Sequence, residues 1–188
     1  MLIRRANLKP WDTVLVLSAS SGVGTAAIQV AKYVVGARVI ATTSTDEKAT
    51  KAIELGADEV IIYTKDDIAE RVAELTENRG VDVVVDHVGA DFWKAAISSL
   101  APGGKYGICG VTTGYRAELQ MGQLFLRNQT IFGVLMGRCQ DLVQIVDMTA
   151  RGIIRGVVHE TFELRDAARA HETLERAGFF GKLVLIVP

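Results

Sequence analysis

The hydrophobic positions fall into short apolar runs separated by longer stretches with helical spacing. The runs are "TVLVLS", "ARVIATT", "DEVIIY", "VDVVVDHVG", "GKYGICG", "QTIFGVLMG" and "KLVLIVP". They are continuous in Val and Ile rather than alternating with polar residues, which suits strands covered on both faces. Between and after them lie "GVGTAAIQVAKYV", "STDEKATKAIELG", "DDIAERVAELTENRG", "FWKAAISSL", "QDLVQIVDMTARG" and "ELRDAARAHETLERAG", each with helical spacing. The second of these starts on Ser/Thr/Asp, with Asp46 expected as its cap and Gly56 as its stop, and Gly80 closes the third. Strands that alternate with helices over short links form right-handed crossovers and a parallel sheet. The predicted fold is therefore α/β, a doubly wound parallel sheet. The opening "MLIRRANLKP" reads as the tail of a helix, so more chain is expected in front of it.

Composition narrows the classes. With 188 residues, 49% of them apolar, one domain can bury a sizeable core. A net charge of -1 provides no broad basic field, so neither a nucleic acid nor a membrane surface is expected as a partner. No apolar run reaches the ~18 residues of a membrane span. The first residues carry two arginines but no apolar core with a small-residue cleavage site, so they are not a secretory signal. Cys109 and Cys139 stand alone, with no histidine at ligand spacing. They read as two reduced thiols of a cytoplasmic protein, and no zinc site is expected in this chain.

The chemistry concentrates at the link between the first strand and the first helix, "SASSGVG", Ser18 to Gly24. In a doubly wound sheet, ligands bind beyond the carboxyl ends of the strands, where strand order reverses. Backbone N–H groups and the positive end of a helix can hold a pyrophosphate there, and small residues let it approach the main chain. The usual dinucleotide fingerprint, G-x-G-x-x-G, aligns with Ala19-Ser20-Ser21-Gly22-Val23-Gly24, and only its last glycine is met. The alternative is an ordinary close-packed strand-to-helix turn. About 20 residues on, where an acid would bond the adenine ribose of NAD, stands Thr43. Without a carboxylate to repel it, a 2′-phosphate fits, and Thr43, Ser44 and Lys48 offer donors and a charge. From charge alone, Lys48 is a solvated helix lysine.

Together, "LSASSGVGTAAIQVAK", "ARVIATTSTDEKATKAIELGADEVIIY", "GVDVVVDHVG", "LAPGGKYGICG" and "AHETLERAGFFGKLVLIVP" resemble the cofactor domain of the medium-chain dehydrogenases/reductases. That superfamily includes the zinc-type alcohol dehydrogenases and the quinone oxidoreductases. The resemblance covers the chain from about Lys9 onward. It implies a Rossmann-type dinucleotide-binding domain over residues 11–188, with residues 1–10 the remnant of an inter-domain helix and linker. The catalytic domain that precedes it in the family is absent from this chain, and with it any zinc.

The resemblance also assigns residues. Ser20, Ser21, Gly22, Val23 and Gly24 carry the pyrophosphate, and Lys182 reaches back to the phosphates. Lys48 and Tyr63 contact the 2′-phosphate, beside the donors Thr43 and Ser44, which makes NADP the expected cofactor ahead of NAD. His87 and Val88 lie beside the adenosine half. Cys109, Gly110 and Val111, with Phe132, Gly133 and Val134 in "IFGV", line the nicotinamide. Trp11 and Ser18 depart from the family, which has glycine at both places. His171 and His159 read as structural, the second at a strand end.

The implied activity is hydride transfer between the nicotinamide and a carbonyl or enone of a small-molecule substrate, with this chain alone inactive. The alternative is a stand-alone dinucleotide-binding module that regulates a partner without catalysis. A short-chain dehydrogenase is excluded because no tyrosine has a lysine four residues on, and Thr43 speaks against a methyltransferase. The apolar run at Gln129–Gly137 predicts an edge strand, and in the family the matching strand pairs with its twin, so a homodimer is expected.

Overall fold

A computed structural model describes all 188 residues, Met1–Pro188. Six strands build one parallel sheet: β1 (Thr13–Val16), β2 (Arg38–Thr43), β3 (Glu59–Ile62), β4 (Val81–Asp86), β5 (Leu100–Ile108) and β6 (Thr130–Gly133). Their order is β3-β2-β1-β4-β5-β6, so the chain starts in the middle, winds to one edge, returns and winds to the other. Every neighbouring pair is parallel.

The Val/Ile runs explain the burial. Alternate residues of a strand point to opposite faces, and here both faces are covered. Val14, Val16, Val39, Ala41, Val83 and Val85 pack on one side with Ala27, Ile28, Ala31, Ala52 and Leu55. Leu15, Leu17, Ile40, Val84 and Tyr106 pack on the other with Ile68, Val72, Ala96 and Ile97. Each fully buried Val, Leu or Ile contributes about 1.5–3 kcal/mol relative to exposure.

The crossover helices are α1 (Gly22–Gln29), α2 (Asp46–Leu55), α3 (Ile68–Leu75) and α4 (Ala90–Ser98). Helix α1 continues as a π-helical segment, Val30–Val35, and stops at Gly36 in the left-handed region. The cap of α2 is Thr45, whose side chain accepts from Lys48 N–H, and not Asp46, which is the first helical residue. Gly56 stops α2 at φ +118°. The N-terminal segment is helical, as its sequence suggests, in the form of a π-helical turn over Leu2–Ala6 whose Leu2 and Ala6 are buried.

Two elements were not legible in the pattern, α5 (Met121–Leu126) and β7 (Val158–Glu163). They are followed respectively by α6 (Cys139–Ala150), after β6, and by α7 (Ala167–Glu175) and β8 (Lys182–Ile186). The last strand does not join the main sheet. It pairs in parallel with β7 in a separate two-stranded sheet. No helix is long and apolar enough to cross a membrane.

Candidate functional site

Strand order reverses between β1 and β4, and the turns after these two strands flank one crevice. The turn after β1 is built by close contacts. Ser18, where the related pattern has glycine, takes the left-handed conformation at φ +52°. Its N–H donates to Thr42 Oγ1 at 3.0 Å, and Ala19 N–H donates to the Thr42 carbonyl at 2.8 Å. Ser21 caps α1, its Oγ accepting from Gly24 N–H at 2.8 Å. Thr25 N–H finds the Ser21 carbonyl, while the N–H groups of Gly22 and Val23 find no acceptor in the chain. Free N–H groups at the positive end of a helix are an anion site.

Gly24 is required by packing. A Cβ there would lie 2.2 Å from the Ser18 carbonyl oxygen. A Cβ on Gly22 would lie 2.0 Å from Cε of Lys182, so the lysine stem crosses directly over the turn. Gly181 fastens that crossing, donating its N–H to the Ser20 carbonyl at 2.8 Å. The turn and Lys182 thus meet although about 160 residues of sequence separate them. A cavity of about 420 Å³ follows this line between the turn, α7 and β8 and is lined by Ser21, Gly22, His171, Phe179 and Lys182.

The end of β2 is occupied by Thr43, whose Oγ1 is buried without a hydrogen-bond partner. Tyr63 N–H donates to the Thr43 carbonyl at 3.0 Å, so Tyr63 and Thr43 are brought together. The Tyr63 ring stands edge-on to Phe92 at 5.0 Å. The Ser44 carbonyl accepts from Thr64 Oγ1 at 2.8 Å. Lys48 is not a solvated lysine. It is 9% exposed, and its Nζ donates to the Ala177 carbonyl at 2.8 Å. Burial pushes its pKa down, against a smaller upward pull from Glu47.

After β4, His87 is half-buried and its Nδ1 has no partner. Burial lowers its pKa, Asp86 opposes that, and Lys182 adds to it. Val88 is buried beside it, and its carbonyl accepts from Thr113 N–H at 2.8 Å. Cys109 N–H donates to the Asp86 carbonyl at 2.8 Å, and the exposed Cys109 thiol is pushed up by desolvation and by Asp86. A Cβ on Gly110 would sit 2.7 Å from the His87 carbonyl oxygen. Val111 packs under Gly89. These residues form one surface at the ends of β4 and β5.

The "IFGV" segment is divided. Phe132 points into the core, against Gly107, with the Arg5 guanidinium 5.2 Å over its ring. Gly133 is exposed, and Val134 N–H donates to the Ile108 carbonyl at 2.8 Å. His159 lies in β7, its ring 6.1 Å from that of Phe179. His171 is on α7 and lines the cavity beside the turn. The sequence reading missed this cavity position, and it also missed Asp86 and Tyr106, which bond each other beneath the β4–β5 surface. Only the apolar run hid them; a buried acid and tyrosine at neighbouring strand ends were the available signal.

The comparisons agree with this geometry. Residues 22–151 match the family model described as zinc-binding dehydrogenase. The chain is 32% identical to a 2-haloacrylate reductase of Burkholderia sp, over 99% of this chain and 59% of that protein. A solved NAD-dependent alcohol dehydrogenase superposes with a TM-score of 0.94 at 40% identity, covering 100% of this chain and 55% of that one. The Escherichia coli quinone oxidoreductase solved as a complex with NADPH superposes at 0.85 with 31% identity, covering 99% and 60%. The chain thus spans between half and two thirds of the length of the curated relatives it matches.

Proposed function

The chain belongs to the zinc-binding dehydrogenase family, within the medium-chain dehydrogenase/reductase superfamily, and from that premise we propose that it is the dinucleotide-binding part of an NAD(P)-dependent oxidoreductase. The observation that carries this reading is the turn Ser18–Gly24. It leaves Gly22 and Val23 N–H groups unpaired at a helix N-terminus, has no room for a side chain at Gly24, and holds a lysine across its top. Two buried polar atoms without partners, Thr43 Oγ1 and His87 Nδ1, lie at the ends of β2 and β4. A buried polar group left unpaired costs about 1–3 kcal/mol, so each marks a place where a ligand or water donates or accepts.

A bound nicotinamide dinucleotide supplies hydride transfer at its ring to a carbonyl or an enone. The chain's own residues do the rest. Gly22 and Val23 N–H groups and the Lys182 ammonium bind the pyrophosphate. Thr43 and Ser44 face the adenine ribose, and His87 and Val88 flank the adenosine. Cys109, Gly110 and Val111 form a wall for the nicotinamide, and that wall excludes water from one face of it. A zinc site does not fit this chain, since no three His, Cys, Asp or Glu side chains come together to hold an ion. No step is assigned to a metal.

The preference is for NADP(H). Thr43 presents no carboxylate to a 2′-phosphate, and Lys48 holds only one carbonyl, which a phosphate would outbid as a charge-assisted partner. The test is fluorescence titration of the chain with NADPH and NADH. NADPH is expected to bind more tightly, and Lys48→Ala is expected to weaken NADPH about tenfold, the equivalent of one charged hydrogen bond, while leaving NADH near its original affinity. A preference for NADH overturns the assignment. Failure to bind either dinucleotide overturns the whole reading. We further propose a homodimer through β6.

A further inference from the structure

Asp86 ends β4 with 1% of its surface exposed. A carboxylate so placed needs donors around it. Its Oδ1 accepts from the N–H groups of Val88 at 2.7 Å and Gly89 at 3.0 Å. Its Oδ2 accepts the Tyr106 hydroxyl at 2.9 Å. Tyr106, in β5, has no exposed surface, and the ring of Trp93 lies 4.9 Å from its own. Burial, with the neighbouring carboxylate, pushes the phenol pKa up, so Tyr106 keeps the proton it donates.

The main chain extends this junction. The Asp86 carbonyl takes Cys109 N–H at 2.8 Å. The Val88 carbonyl takes Thr113 N–H at 2.8 Å and the Thr113 hydroxyl at 3.0 Å. The approach is close enough that a Cβ on Gly89 would meet the Gly114 carbonyl oxygen at 2.8 Å. The turns after β4 and β5 therefore cannot move independently, and a single carboxylate sits where they join.

We propose that Asp86, held in place by Tyr106, is a positioning residue for the parts of the bound dinucleotide beyond its pyrophosphate. It keeps the His87–Gly89 and Cys109–Thr113 turns as one surface. The proposal rests on the dinucleotide reading above and adds residues that do not touch the cofactor. Without the Tyr106 hydroxyl, Oδ2 loses its side-chain donor in a site closed to solvent, and the carboxylate must rotate away from Val88 and Gly89 to find another. The turn it orders then loses its register with Cys109–Val111. The pyrophosphate turn after β1 makes no hydrogen bond to this junction, so the phosphate site is kept, whereas His87 and Val88, which flank the adenosine, move with the turn.

The experiment compares two ligands on the chain. One is whichever of NADPH and NADH binds more tightly, and the other is inorganic pyrophosphate, which reaches only the turn after β1 and Lys182. For Tyr106→Phe and Asp86→Ala, the reduced dinucleotide is expected to weaken about fivefold to tenfold, with pyrophosphate unchanged. The rise in nicotinamide fluorescence on binding is expected to shrink in the same variants. Asp86→Asn restores both readouts, because its Oδ1 still accepts the two N–H groups and its amide donates to the tyrosine oxygen. Equal weakening of both ligands, or no weakening of either, overturns the proposal. If Asp86→Ala does not fold, Tyr106→Phe decides alone, since its ring still fills the core. Wild-type chain that binds neither ligand would instead overturn the dinucleotide reading itself.

Discussion

Two glycines two residues apart, Gly22 and Gly24, carry opposite expectations. A methyl on Gly24 meets backbone, the Ser18 carbonyl oxygen at 2.2 Å and two main-chain atoms of Ala19 at 2.9 Å. Backbone cannot give way cheaply, so Gly24→Ala is expected to lose about 1–3 kcal/mol, the usual cost of overpacking, in chemical denaturation. A methyl on Gly22 meets only the far end of the flexible Lys182 side chain. Gly22→Ala is expected to leave the denaturation midpoint unchanged and to weaken dinucleotide binding, because it displaces the lysine from the phosphates. The same midpoint shift for both would refute the distinction. His87 carries a separate expectation. Burial depresses its pKa in the folded chain, with Lys182 adding to the effect and Asp86 opposing it. The unfolded chain then binds a proton that the folded chain refuses, so stability is complete above the ordinary histidine value of about 6.5 and falls as pH drops below it. His87→Gln is expected to flatten that slope in thermal melts taken across this range, and an unchanged slope would place its origin elsewhere.

At the scale of elements, the six strands of the main sheet were legible because a strand covered on both faces leaves an unbroken Val/Ile run, as in β1 and β4. Elements that bury little leave no such mark. Helix α5 is six residues long, starts at Gln120 without a side-chain cap, and buries nothing. Strand β7 reads "VHETFE" and buries only Phe162. Pairing β8 with β7 rather than with the main sheet was equally hidden, since the partner strand carries no pattern of its own. The site followed the same rule. Its local part, Ser18 to Gly24, was readable from one stretch of chain, and the Asp86–Tyr106 junction was not, because it forms between two strands. The expectation of an edge strand holds for β6, which ends the sheet order. Helix α6 buries none of its residues, so β6 and the segment after it stay open to another chain. Phe132 is in the core, so a lysine there would unfold the protein rather than test association. Leu135 and Met136 are 92% and 86% exposed and serve instead. Light scattering at micromolar concentration is expected to show a dimer, and Leu135→Lys with Met136→Lys to convert it to monomer. A wild-type monomer, or a dimer indifferent to both changes, would rule out this edge.

On the scale of the whole molecule, the dinucleotide face is a wall rather than an enclosed chamber. The turn after β1, the end of β2 and the joined turns after β4 and β5 lie on one edge of one sheet. Hydride transfer needs more than a held cofactor. A substrate must be fixed against the nicotinamide within reach of reaction, with a proton donor or other electrophile at its oxygen and water kept out. In the proposed reading, these residues hold the phosphates, the riboses and one side of the ring, and none of them grips a second molecule. No cluster of three or more potential metal ligands forms to polarise a carbonyl. The relatives that match this chain carry 40–47% of their length outside the matched portion. The remaining wall belongs there in the proposed reading. The purified chain is therefore expected to bind NADPH yet to show no turnover of simple alcohols or quinones, followed by nicotinamide absorbance. Binding without turnover separates the two halves of the work, cofactor orientation from substrate capture. Measurable turnover would place the substrate groups within these 188 residues, and the cavity beside Ser21, His171 and Lys182 would then be the first place to look for them.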